Sequence, residues 1–319
     1  MSDTSVWLRL TAALGALALG VAAVVIVVVL AHRTPGPTDT SSSSTAAIAA
    51  AASESDAAAF PAPPPGAVTF SRPDGSDVLA LGVIPGRKLK LQASVLGGQG
   101  EGVSGLDVAF RVDGRKAAGV PCGAGCYDAS VKSASPPKVV DVVVKRDSGT
   151  TTWRVPMPRQ WPPVDASAIV ARAAREFRGL RSVAVRDWLA SGPGQSLFTR
   201  WTLVAPNRLK YQVKNGSSAV IIGNRRWDKL PGGKWEESEQ TPIRQPTPFW
   251  RSATNAYLLD DSKSAWHVSF FDPKTPGWYE LLIDKDTTRL LELRMHATAH
   301  FMREVYSRFN APVTVTPPD

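Results

Sequence analysis

Histidine and cysteine are scarce: four and two in 319 residues. So few side chains leave little material for a soft-metal centre or a thiol nucleophile. The sequence has no Gly-x-Ser-x-Gly elbow, no phosphate-binding glycine loop and no HExxH zinc pattern. Catalysis is therefore not expected, and no resident cofactor is expected beyond a copper ion. Long basic runs are also missing. Lys and Arg number 37 against 28 Asp and Glu, a net charge of +9, but they are interleaved with the acids. That scatter points to surface solubility or a lipid-facing role and excludes nucleic acid as the expected partner. No cysteine stands directly after the N-terminal apolar run, so a bacterial lipoprotein signal is not expected.

That run is the clearest feature present. Leu10 to Ala31 carries no charge. At about 1.5 Å per residue it spans about 30 Å, the thickness of a bilayer's hydrocarbon core. A cleavable signal has an apolar region of only about 7–15 residues, although Val29-Leu30-Ala31 also fits a weak cleavage site. The expectation is a single-pass transmembrane helix at 10–31 with residues 1–9 in the cytoplasm. Arg9 and Arg33 flank it on both sides, so charge barely orients it. The cysteines argue for an oxidising, extracytoplasmic side for the chain beyond the helix. Residues 32–66 are dominated by Ala, Ser, Thr and Pro, a composition that cannot bury enough apolar surface to order itself. They read as a linker.

Beyond the linker the pattern is mainly β. In 67–157, Lys88–Leu96 and Leu106–Val112 alternate polar and apolar residues, the period of a half-buried strand. Asp113-Gly114 is a hairpin signal, and Val139–Val144 and Trp153–Val155 add further strands. Short strands at this spacing predict an immunoglobulin-like β-sandwich. Residues 158–164, rich in proline, predict a hinge. In 165–319, Asp165 is placed as a helix N-cap, and Ile169, Val170, Ala173 and Phe177 form an apolar helical face. Strands follow at 182–190, 197–204, 208–213, 219–222, 225–228, 266–271, 279–283 and 290–301, with Asp260-Asp261 read as a turn. One helix and a long meander make an α+β plan. Of the paired Arg225 and Arg226, one is expected to pack and the other to face solvent.

Several of these features recur together in a known family. Ala205-Pro206-Asn207-Arg208 ends one strand and opens the next. An apolar strand then runs into Gly223, Trp227-Asp228 turns before Trp235, and a Thr287-Thr288 turn follows Asp284. The chain closes on Tyr306–Val313 and Pro317-Pro318. Residues 165–319 thereby resemble the LolA-like lipoprotein-carrier superfamily, which includes actinobacterial envelope lipoproteins of the LppX and LprG kind. The resemblance implies a curved, incompletely closed antiparallel half-barrel around helices, with acyl chains held on its concave face. By the same resemblance Trp201, Leu203, Leu209, Tyr211, Val220, Ile222 and Trp227 would line that cavity, as ordinary core residues would also do. The terminal segment looks like the family's last strand. Residues 67–157 resemble the small YtkA-like and CopC-like sandwich modules. The same order of modules occurs at the C-terminal end of some actinobacterial copper-resistance membrane proteins.

Copper is accordingly the second expectation. Cys122 and Cys126 are separated by three small residues and read as a disulfide, a Cu(I)-binding dithiolate or two free thiols. His296, His300 and Met302, if they share one strand, point to one face and could hold copper. The expected protein is thus a membrane-anchored, extracytoplasmic, non-catalytic binder of a membrane lipid or other hydrophobic ligand. Copper handling and a pure protein-interaction module are the alternatives, and envelope or copper-handling membrane proteins are the corresponding partners.

Overall fold

The computed structural model describes residues 62–132 and 136–319. The apolar run at 10–31 and most of the linker lie outside the described residues. Among the described residues, no helix is long and apolar enough to cross a membrane. Ala62–Asp319 forms one compact unit.

The first half of that unit is built from nine strands: β1 Val68–Asp74, β2 Asp77–Ile84, β3 Lys88–Leu96, β4 Asp107–Val112, β5 Arg115–Ala118, β6 Val120–Gly123, β7 Cys126–Lys132, β8 Val139–Arg146 and β9 Gly149–Pro156. They pair in two antiparallel sheets, β1-β2-β3-β7-β6 and β5-β4-β8-β9. Alternation decides which side chains face inward. Leu89, Leu91, Ala93 and Val95 of β3 meet Val108, Phe110 and Val112 of β4 and Val140, Val142 and Val144 of β8 in one core. The two antiparallel sheets thus pack face to face around one apolar core. The first two strands and the β5–β7 ribbon were not anticipated. Buried Tyr127 fastens the loop before β4: its hydroxyl donates to the Val103 carbonyl at 2.9 Å and accepts from the Leu106 N–H at 3.1 Å.

The connection at 158–164 is packed rather than free. Trp161 lies against the sandwich core, the Val164 carbonyl accepts from the Leu258 N–H, and Asp165 bridges to Tyr257. Helix α1, Ser167–Gly179, buries Val170, Ala173, Ala174 and Phe177, the face that the spacing predicts. The cap is a correction. Ala166 occupies the N-cap position, and Asp165, one residue earlier, accepts from the Ser167 N–H at 2.9 Å.

The second half is one eleven-stranded antiparallel sheet. Its strands are β10 Ser182–Gly192, β11 Gln195–Val204, β12 Arg208–Val213, β13 Ser218–Ile222, β14 Arg225–Lys229, β15 Trp235–Glu239, β16 Thr254–Asp261, β17 Ala265–Asp272, β18 Gly277–Asp284, β19 Leu290–Ala297 and β20 His300–Ser307. The spatial order is β15-β14-β13-β12-β11-β10-β20-β19-β18-β17-β16. Two meanders are thus joined where β10 meets β20. Asp260 and Asp261, read as a turn, are the last residues of β16. The stretch 290–301 is two strands, not one, because the chain reverses at Thr298 and Ala299, with Ala299 at φ 52°. The terminal segment after Ser307 is not a strand.

The two edge strands, β15 and β16, are joined by the fourteen residues between them. Ten antiparallel steps separate them, so they run in the same direction. The connection must therefore travel from one end of the sheet to the other as well as from edge to edge. In a flat sheet the edges would lie about 48 Å apart at about 4.8 Å per strand, the full reach of fourteen extended residues at about 3.4 Å each. This strap instead dips to touch the sheet on the way: the Gln245 N–H donates to the Pro206 carbonyl, and Trp250 packs on Phe270 at 6.0 Å between ring centres. The sheet must curl to allow it. Strap and helix lie on the same, concave face: Phe177 of α1 meets Tyr306 edge-on at 5.4 Å. On the other face, around β17–β19, sits β1 of the sandwich, with Ser71 hydrogen-bonded to His296 at 2.8 Å and Asn255 donating to the Pro64 and Ala67 carbonyls.

Tyr127→Phe should lower stability by about 1–2 kcal/mol, because it strips a buried donor and acceptor of their partner while keeping the ring. The urea midpoint, at constant slope, checks this.

Candidate functional site

Strand register fixes which side chains reach the concave face. Trp201 is opposite Tyr211 and Val185, and Leu203 is opposite Leu209. Leu209 in turn faces Ile221. The anticipated lining residues Trp201, Leu203, Leu209 and Tyr211 therefore share the concave face, and all four are buried. Trp201 and Tyr211 pack with ring centres 4.7 Å apart. Val220, Ile222 and Trp227 belong to the opposite, convex face, because Val220 pairs with Trp227 and Ile222 with Arg225, one register step away from Ile221. There Val220 and Trp227 pack with Val315 of the terminal segment, and Arg208 holds the Val315 carbonyl at 2.7 Å. Val220 and Ile222 keep the period of two but on the other face, because Ala219 and Ile221 are the residues of β13 in register with Tyr211 and Leu209.

The proposed copper ligands part company in the same way. Met302 pairs with Met295 and His300 with Ala297, on the concave face. His296 pairs with Phe301 and faces the sandwich. The turn at Thr298-Ala299 separates what one continuous strand would have aligned, so His296, His300 and Met302 do not converge. Burial pushes the His296 imidazole down to about 4, partly offset by Glu280. It is a neutral hydrogen-bonding residue of the junction. Cys122 and Cys126 are joined as a disulfide with Cα atoms 5.1 Å apart, within the range that permits the bond. Gly125 makes the reversal possible: it sits at φ +65°, where a side chain would collide with the Val95 carbonyl. Asp128 lies beside the two sulfurs, but bonded sulfurs are not thiolate ligands. Arg226 is buried and paired with Asp228, whereas Arg225 is exposed beside Glu237, as the paired arginines predict.

The concave face also holds a polar group that sequence reading missed. Asp187 of β10 lies directly opposite Glu304 of β20. Asp187 is 6% exposed. Its Oδ2 accepts from the Trp201 indole N–H at 3.3 Å, and its Oδ1 is buried with no hydrogen-bond partner. The Tyr306 hydroxyl donates to Glu304. Burial raises the Asp187 carboxyl to about 6, against the small opposing effect of Trp201. Burial, then the neighbouring Asp187 charge, raises Glu304 to about 8. The Tyr306 and Tyr279 phenols are also held above their ordinary value, chiefly by burial. The signal was present in the alternation: Asp187 occupies the same face as Val183 and Val185, and Glu304 the same face as Met302 and Tyr306. An acid in an inward register position is the mark, but only pairing reveals that the two acids meet.

No protein-family model matches the sequence, and no curated protein matches it. Among solved structures, LprF from Mycobacterium bovis is similar at 13% identity and a TM-score of 0.34, over 48% of this chain and 96% of that one. The lipoprotein LppX from Mycobacterium tuberculosis is similar at 15% and 0.35, over 47% and 97%. A LolA-superfamily protein from Nitrosomonas europaea is similar at 11% and 0.23, over 47% and 95%. Likeness at such scores carries no functional argument, which rests on the chain's own concave face.

The raised carboxyls set a pH dependence of known sign. Between the unfolded carboxylate range, about pH 4, and the folded values the native state binds more protons than the unfolded chain. The stability that this pair contributes is therefore full in acid and is lost as pH rises through about 6 to about 8. Glu304→Gln should gain on the order of 1–2 kcal/mol on wild type at about pH 8.5 and little at about pH 4. Urea midpoints at the two pH values measure it; a difference independent of pH would contradict the assignment. The disulfide closes only a short loop, so Cys122→Ser/Cys126→Ser should cost no more than about 2 kcal/mol, read in the same way.

Proposed function

We propose that this chain is a membrane-tethered, extracytoplasmic binding protein whose half-barrel holds the apolar chain of a lipid or similar ligand, without catalysis. The observation that carries the reading is how the concave face is closed. Trp201, Leu203, Leu209 and Tyr211 are buried on a face that carries no second sheet among the described residues, and one helix and one strap touch that face at Tyr306 and Phe270. A strap held by the backbone N–H groups of Gln245, Arg251 and Ser252 and by the buried Trp250 ring can lift without breaking any ladder between strands. An apolar face with a removable cover is what a chain-binding site requires. The sequence at 10–31 supplies the tether and 32–66 the spacer. The Cys122–Cys126 disulfide supports an oxidising compartment for everything beyond them. In this reading the immunoglobulin-like sandwich is a spacer and platform, applied through β1 to the convex face so that the concave face stays clear. The copper alternative has no comparable support, since its ligands are bonded to each other or on opposite faces.

Native mass spectrometry of residues 62–319, produced in an oxidising compartment, tests the reading. The expected spectrum shows an acyl-chain mass that organic extraction removes. A bare polypeptide that also refuses added lipid would contradict it and leave a protein-interaction module as the better account.

A further inference from the structure

Buried carboxyls normally face a cation or a full set of donors, because an unpaired charge out of water is costly. Asp187 and Glu304 face neither. They oppose each other across β10 and β20. The groups that act on them are the Trp201 indole from β11, the Tyr306 hydroxyl from β20, and each other. Tyr279 of β18 adds a phenol on the same face, and α1 presents the Phe177 ring to Tyr306. Among the described residues, no lysine, arginine or histidine is close enough to lower either acid. One oxygen, Asp187 Oδ1, is left buried with nothing to accept from.

Glu304 is half-buried, and its register places it on the concave face between Met302 and Tyr306. Leu189 and His300, on the same face toward the β10–β11 and β19–β20 turns, are half-buried as well. Solvent therefore reaches this face from that end.

We propose that Asp187 and Glu304 form the recognition point for a protonated primary amine carried at the end of the apolar chain in the half-barrel. The inference rests on the apolar-chain reading of the concave face and names the head group that face selects. A primary ammonium brings three N–H donors: one for the orphaned Asp187 Oδ1, one for Glu304 and one for water in the open end. The surrounding Trp201 and Tyr306 rings favour a cation over a neutral group. A phosphate or carboxylate head without an ammonium would meet two acids and no cation, which excludes it. Before binding, near neutral pH, the pair retains a proton on one carboxyl; the incoming ammonium keeps its own protons, and that carboxyl proton leaves to solvent. No covalent bond changes.

Residues 62–319 form the compact unit that contains the site, and dodecylammonium is the probe, titrated calorimetrically at pH 7 against dodecanol, dodecanoate and methylammonium. Dodecylammonium should bind at least about tenfold more tightly than dodecanol, and dodecanoate and methylammonium more weakly than either. Repeating the titration in buffers of different ionisation enthalpy should reveal net proton release. Asp187→Asn, and separately Glu304→Gln, should erase the preference for the amine over the alcohol and keep the affinity for dodecanol. Equal binding of dodecylammonium and dodecanol by the wild type would overturn the amine inference and leave the apolar site standing; binding of none of the three chains would overturn both. The wild-type comparison decides even if a variant fails to fold. Vesicles of phosphatidylethanolamine with phosphatidylcholine, against phosphatidylcholine alone, then separate sources: lipid transfer only from the former assigns a lipid head group, and transfer from neither assigns a free alkylamine. Transfer from both alike, with no preference for dodecylammonium, would overturn the proposal.

Discussion

The pairing of β10 with β20 is the constraint on which the second half of the molecule depends. These strands are the first and last of that half, more than a hundred residues apart in the chain, yet they are neighbours at the centre of the eleven-stranded sheet. Their union converts two local meanders, each made by short turns, into one surface. It leaves β15 and β16 as the edges. Because those edges are consecutive in sequence, the chain itself must cross the sheet to continue. A closed barrel would have removed both edges by pairing them. Here the strap spans the gap in its place.

From that arrangement comes the division of labour between the faces. The convex side near β17–β19 is occupied by β1 of the sandwich, where neutral His296 and Ser71 meet in a part-buried hydrogen bond. Farther along, the terminal segment covers Val220 and Trp227. The concave side keeps aromatic and aliphatic residues and is the side that the helix and the strap touch. The same β10–β20 pairing sets Asp187 against Glu304. Two acids placed opposite each other in an apolar sheet face lower stability above neutral pH. Asparagine and glutamine would serve packing as well, so the acids point to binding rather than to folding.

Much of this was legible in the residues. Period-two alternation located four of the nine strands of the first half and most of those of the second, and Val170, Ala173 and Phe177 marked the buried side of α1. Gly123-Ala124-Gly125 permitted the disulfide but did not distinguish it from free thiols. What was not legible came from pairing. Trp235–Glu239 and Thr254–Asp261 are edge strands, mostly exposed or half-buried, and the second is irregular in register, so neither carries clear alternation. Thr298-Ala299 has no glycine or proline to announce a turn, and a single long strand there would have aligned His296 with Met302. Val220 and Trp227 are apolar because the distant residue Val315 covers them. Asp187 and Glu304 each sat in an inward register position, but nothing local to either says that the other is opposite.

Hydrogen–deuterium exchange of residues 62–319, with and without dodecylammonium, tests most directly whether the concave face is the binding surface. Added protection is expected in the strap at 240–253 and in β10 and β20, with the sandwich and the Trp227–Val315 region unchanged. Protection confined to the convex face or the sandwich, with the strap unaffected, would contradict a concave binding surface.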